Sequence, residues 1–234
     1  MSQALQIFGG RGTKSTRPLF ANSKVVNDLS IVRESIPFVV VPLVLAVVSL
    51  GFGQWWLFGL FLFVVLFMAF FFRDPRRDVP VESNIVVSPA DGKVTRVQLL
   101  NPEQVDSATV ISIFLSPLDV HINRSPIVGK ITEVVYAPGK FLMATNEKAS
   151  LVNEQNILTI EGEKVTVVCK QIAGILARRV VCWKKKGDNL ELGERFGLIK
   201  FSSRTDLILP SNVIVTVSVG DRVSGGTTVI GRIS

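Results

Sequence analysis

Histidine is almost absent from this chain: His121 is the only one. Tyrosine occurs once and cysteine twice. Cys169 and Cys182 form no CxxC or Cys/His cluster, so no metal site is expected. Both cysteines lie in strand-like segments and are read as reduced core thiols. Charge is missing from one long stretch. Ile36 to Phe72 carries no Asp, Glu, Lys or Arg, which argues against a soluble core hairpin. The whole chain carries 26 Lys and Arg against 19 Asp and Glu, a formal charge of +7. Nucleic acid is one partner such a charge could serve. No basic helix or stacking-aromatic motif supports it, so none is expected. A basic balance beside an apolar run points instead to anionic lipid headgroups.

The apolar run has internal structure. Ile36 to Leu50 is rich in Val, Leu and Pro, Gly51-Phe52-Gly53-Gln54 breaks it, and Trp55 to Phe72 is almost wholly Phe, Leu and Val. A spanning helix needs about 20 apolar residues, so the run suits two short spans, residues 35–73, with a re-entrant hairpin as the alternative. Arg33 precedes it, and Arg73, Arg76 and Arg77 follow it. Positive residues on both flanks place both ends in the cytoplasm. Residues 1–34 are polar and mixed, without the order of a cleaved signal peptide, and are read as a cytoplasmic arm. Residues 74–81, with Pro75 and Pro80, form a linker.

From residue 82 the pattern becomes short strands with Gly and Pro turns. It predicts a mainly β domain over 82–234, a barrel or sandwich of short antiparallel strands. Residues 157–160 and 164–170 read as a hairpin, 172–183 as a strand, and 141–153 as the one helical candidate.

Chemistry-bearing residues are few. Ser202 and Ser203 interrupt two strand-like runs. A Ser in such a turn can attack the preceding carbonyl, and elimination and hydrolysis then leave a pyruvoyl group, an electron sink made from the chain itself. Two serines also mark an ordinary β-turn. His121 follows a Pro117 turn, and Asp119, two residues away, would face the same side of an extended segment. Asp91 lies in a second turn. With Ser203 these residues offer an Asp-His-Ser set for activating a hydroxyl. A lone His near a Pro turn also serves as a surface or capping residue, and spacing leaves both readings open.

Phe71-Phe72-Arg73-Asp74-Pro75, Ser88-Pro89-Ala90-Asp91-Gly92-Lys93-Val94, Phe114 to Pro117 with His121, Asn123 and Arg124, Tyr136 to Phe141, Gln171 to Gly174, and Gly193 to Ile199 share an order and spacing. In these the chain resembles the phosphatidylserine decarboxylase proenzymes of the short bacterial and archaeal type. The resemblance implies a membrane-bound enzyme that cleaves itself between Ser202 and Ser203, converting Ser203 to pyruvoyl. It implies that the large and small chains of one precursor stay together, with a homodimer as a further candidate assembly. His121, helped by Asp91 or Asp119, would move protons. The pyruvoyl carbonyl would take the amine of an anionic phospholipid as a Schiff base, and loss of CO2 would leave phosphatidylethanolamine. The implied location is the cytoplasmic face of the inner membrane. Two residues depart from the family's pattern. Ser202 stands where Gly is usual, and Gly permits backbone angles that Ser resists, so an uncleaved, inactive proenzyme is one alternative. Arg124 stands where longer members carry a second His. An archaetidylserine substrate is another alternative, since the headgroup chemistry is the same.

Overall fold

The computed structural model describes residues 32–100, 107–144, 146, 148–175, 179–201 and 203–234. Most of the polar arm, Arg178 and Ser202 lie outside the described residues.

Two helices lead the chain, α1 (Ile36–Gly51) and α2 (Trp55–Phe71). They form a hairpin across the break at 52–54, where Gly53 takes a φ of +70° that a side chain would resist. Pro37 sits in the first turn of α1, where its missing N–H costs nothing. The segment Arg33–Gly51 is long and apolar enough to cross a membrane; Trp55–Phe71 is as apolar but shorter. Its 17 residues rise roughly 25 Å. The apolar side chains of both helices stay largely exposed, among them Val47, Phe63 and Leu66. Pro42, Ala46 and Ser49 of α1 are buried, and at the base of the hairpin Phe71 and Phe72 close on Leu198, with Phe38, Met68 and Phe201 around them.

The remainder is mainly β, as its alternation predicts. The strands are β1 (Ile85–Val87), β2 (Gly92–Leu100), β3 (Ala108–Leu115), β4 (Ile122–Arg124), β5 (Gly129–Ala137), β6 (Gln155–Glu161) and β7 (Thr166–Ala173). They continue with β8 (Val180–Cys182), β9 (Asn189–Leu190), β10 (Arg195–Ile199), β11 (Ser203–Pro210), β12 (Val213–Val215), β13 (Arg222–Val223) and β14 (Val229–Ile233). One antiparallel sheet has the order β13-β2-β3-β11-β7-β6-β5-β9 and curls into a half-barrel. Two three-stranded sheets, β1-β14-β12 and β4-β10-β8, complete the wall. Odd-numbered residues of β3 and β11 (Ile111, Ile113, Leu115, Leu207, Leu209) point into the core with Leu158, Ile160 and Val167. Each such side chain contributes roughly 1.5–3 kcal/mol by leaving water. Cys169 lies in this core as a free thiol whose pKa burial pushes up; Cys182 is free and half-buried.

Two sequence expectations need correction. The helical candidate at 141–153 shrinks to the single turn α3 (Ala149–Val152). The long strand at 172–183 is two strands, β7 ending at Ala173 and β8 starting at Val180.

Candidate active site

β11 is central in the half-barrel, and Ser203 is its first residue, paired with Leu115 on one side and Ala173 on the other. That double pairing buries it completely. Its Oγ has no hydrogen-bond partner. Phe201, two residues earlier, has a φ of +51°, a left-handed conformation uncommon for an aromatic residue. It is held there by stacking on Phe71, 4.4 Å between centroids, with edge contacts to Phe38 and Phe72.

His121 enters from the other wall. It directly precedes β4, and its carbonyl accepts the Ile199 N–H at the end of β10. Asn123, two residues on, donates to Thr205 Oγ1 at 2.9 Å. Thr205 is two residues past Ser203. β4 and β11 are thus joined at the Asn123–Thr205 bond, and the Phe71 ring, which contacts both His121 and Phe201, puts His121 and the start of β11 at the same end. Gln171 secures the joint by donating to Asn123 Oδ1 (2.8 Å), and Gln171 Oε1 accepts from Asn156 (3.1 Å).

The His121 ring is buried and lies 4.4 Å from the Phe71 ring. Its Nδ1 is 2.9 Å from the Asp119 carbonyl oxygen. A carbonyl only accepts, so Nδ1 carries the proton and Nε2 the lone pair. Nε2 has no partner. Burial drives the His121 pKa down to about 4, against the upward pull of the Asp119 carbonyl and carboxylate; Arg73 adds to the lowering. The ring is therefore neutral at pH 7, with a free, buried lone pair.

The two sequence-selected carboxylates lie at the rim, each with its own partners. Asp91 binds Arg77 at 2.6 Å and accepts the Gly225 N–H at 2.7 Å. Asp119 accepts the Ser116 N–H at 2.8 Å and meets Arg222 at 3.2 Å. Neither carboxyl group has a hydrogen bond to the imidazole; the main chain of Asp119 holds it. Residues 116–121 form a turn rather than an extended segment, so Asp119 and His121 do not share a face. Arg124 is no second proton carrier either. It is buried and reaches Asp74 at 2.7 Å and the Gly193 carbonyl at 3.1 Å. Arg195 meets the same carboxylate at 2.7 Å. The charged cluster fastens the chain just after α2 to β4 and β10.

Sequence reasoning missed Phe71 as a wall of the site and Asn123–Thr205 as its joint. Phe71 was hidden in a run of similar residues. The family profile described as phosphatidylserine decarboxylase matches residues 64–231, a segment that begins inside α2 and takes in all of these residues. The chain belongs to the phosphatidylserine decarboxylase family. It is 48% identical to the phosphatidylserine decarboxylase proenzyme of Symbiobacterium thermophilum over 208 residues, 87% of this chain and 95% of that one. The proenzymes of Geotalea uraniireducens and Chlorobium chlorochromatii are 44% and 45% identical, over 86% and 77% of this chain and 95% and 85% of their own. Membership of this decarboxylase family makes the chain an enzyme, a carboxy-lyase.

Proposed function

We propose that the chain is a self-processing, pyruvoyl-dependent decarboxylase that converts phosphatidylserine to phosphatidylethanolamine and CO2. The observation that carries this reading is the pair of buried, partnerless polar atoms, Ser203 Oγ and His121 Nε2, at one end of the β4–β11 joint. A buried polar atom without a partner costs about 1–3 kcal/mol. Two of them beside each other's strands are expected where a reaction needs them free.

Processing follows from these atoms. His121 Nε2 takes the Ser203 hydroxyl proton as Oγ attacks the carbonyl carbon of Ser202. The peptide C–N bond breaks and an ester replaces it. Loss of the Ser203 α-proton expels the Ser202 carboxylate. Addition of water to the remaining enamine releases ammonia and leaves a ketone at the head of the small chain. Ser203 pairs with Leu115 and Ala173, and Phe201, two residues earlier, stacks on Phe71, so apolar residues flank the strand end where that group would stand. The pyruvoyl carbonyl supplies an electron sink for the pair left by departing CO2. His121 is then placed to return a proton from Nε2 to the headgroup carbon. Asp119 orients the ring through its main chain, and Asp91 with Arg77 shapes the rim.

Residues 35–73 serve as the membrane hairpin, 74–81 as the linker and 82–234 as the catalytic domain, working at the cytoplasmic face of the cell membrane. Support comes from the exposed apolar surface of the hairpin and the arginines that flank it. Intact-mass measurement of the purified protein, with a lipid turnover assay, tests the whole reading. Expected are a cut before Ser203, a small chain carrying the mass of a pyruvoyl terminus, and a Ser203→Ala chain that stays whole and inactive. A wild-type chain that stays whole while converting lipid would overturn the mechanism. One that stays whole and inert would favour the blocked proenzyme, with Ser202 as the obstacle.

A further inference from the structure

A cut before Ser203 would change what holds that residue. In the continuous precursor, the peptide bond to Ser202 tethers the start of β11. Afterwards residue 203 heads the chain 203–234 and its nitrogen has left as ammonia, so a tether and a backbone N–H are both gone. Chain ends of this kind fray readily. Decarboxylation tolerates little such freedom, since a misplacement of about 1 Å can cost about 100-fold in rate.

A restraint lies on the other face of the strand. Side chains alternate along β11. Thr205 faces Asn123, so Arg204 and Asp206 point the opposite way, where both are buried. Arg204 Nε donates to Asp206 Oδ1 at 2.6 Å and Nη2 to Asp206 Oδ2 at 3.1 Å, a forked ion pair. Each partner also reaches a segment that would stay in the large chain. Arg204 Nη2 donates to Ser112 Oγ of β3 at 2.7 Å, and Asp206 Oδ2 accepts the Ser150 hydroxyl of α3 at 3.0 Å. Ser112 is buried and stands opposite Asp206 in the β3–β11 register. α3 is held in turn. Asn153, just after it, donates to the Ala173 carbonyl at 2.7 Å, and Ala173 is the β7 partner of Ser203.

A buried ion pair is a poor route to stability, because apolar side chains of like volume serve at least as well. What a forked pair does supply is one fixed geometry. Here that geometry sits one and three residues beyond Ser203, at the head of the small chain.

We propose that Arg204 and Asp206 are positioning residues, which pin the head of the small chain to Ser112 and Ser150 of the large chain once the peptide is cut. The proposal rests on the reading of Ser203 as the pyruvoyl precursor. The two residues then matter little for cleavage, while the tether is intact, and strongly for decarboxylation afterwards.

Two full-length variants test it. Asp206→Asn breaks the charge pairing. Ser112→Ala/Ser150→Ala cuts both ties to the large chain and leaves the ion pair whole, so it supplies folded protein even where Asp206→Asn does not. Three readouts are set against wild type: the half-time of cleavage on a denaturing gel, the rate at which phenylhydrazine forms a hydrazone with the processed chain, and kcat and KM for phosphatidylserine in detergent micelles. In the double-serine variant the cleavage half-time should stay within about twofold of wild type, while hydrazone formation speeds up at least about tenfold as the freed end opens to solvent. Its kcat should fall about 10- to 100-fold with KM little changed. Hydrazone formation and kcat both at wild-type values would overturn the proposal. So would a cleavage half-time lengthened as much as kcat is lowered, with hydrazone formation unchanged, the mark of a merely structural role. Wild-type protein that gives no hydrazone, even after denaturation, would overturn the pyruvoyl reading and the positioning role with it.

Discussion

The aromatic ring of Phe71 lies 4.4 Å, centroid to centroid, from the imidazole of His121. Phe71 is the last residue of α2, and its ring also stacks on Phe201, again at 4.4 Å. The apolar hairpin is thus part of the site. Its end residue shields the one histidine from water and props up the residue that leads to Ser203.

Replacing His121 with Gln keeps the size and polarity of the side chain but removes the basic nitrogen. Self-cleavage should slow by at least about 100-fold, the usual contribution of a positioned base. The fraction of chain cleaved over time on a denaturing gel measures this. Cleavage at the wild-type rate would transfer the proton to a carboxylate.

Stability should fall as pH drops from 6.5 to 4. His121 titrates near 6.5 when unfolded and at about 4 when folded. Between those values the unfolded chain binds a proton that the folded chain refuses, so acid favours unfolding. The loss is on the order of 3 kcal/mol in total, and the contribution is flat above 6.5. Denaturant titrations of wild type and His121→Gln across this window isolate it, since the variant should lack this part of the slope.

Phe71→Ala opens the ring stack. It should cost about 3–5 kcal/mol, as for a buried Phe. It should also raise the His121 pKa towards 6.5, because burial is the main cause of the lowering. With one histidine in the chain, the imidazole resonances can be followed by NMR without assignment. An unchanged pKa would mean that the β domain alone buries the ring.

Asp74→Asn leaves the buried Arg124 guanidinium without its counter-charge. Removing one partner of such a pair costs about 3–5 kcal/mol. Arg195→Gln, at the half-exposed end of the same cluster, should cost no more than about 1 kcal/mol. Thermal melts of the two variants in detergent should rank in that order.

Gly197→Ala should disturb the site from behind. A Cβ there would lie 2.4 Å from the Val181 carbonyl oxygen and 2.6 Å from Gln171 Nε2. Overpacking of this kind costs about 1–3 kcal/mol. Because Gln171 holds Asn123, cleavage should slow in a variant that still folds, read as half-time on the same gel.

Much of this was legible along the chain. The charge-free run, its Gly51–Gln54 break and the change to alternation after residue 82 are local signals with local causes. The β6–β7 hairpin is likewise visible, since its strands are neighbours in sequence. The site residues were legible as types: one His, one Ser pair, two turn carboxylates. Their partnerships were not. Asp119 and His121 are two apart, and the sequence suggests a shared face; the turn at 116–121 aims the carboxylate at Arg222 instead. Arg124 looked like a substituted histidine, and its actual partner, Asp74, is fifty positions away.

Alone, the sequence determined the composition of the molecule: an uncharged helical pair, a strand-rich body, a single imidazole and a hydroxyl pair between strands. Hydropathy and alternation act over a few residues, so they survive in one dimension. Only the tertiary structure decided that Ser203 and His121 share an end, that Phe71 walls them in, and that the carboxylates stay at the rim. Those outcomes depend on strand pairing and burial between distant segments, and no local pattern encodes which buried atom is left without a partner.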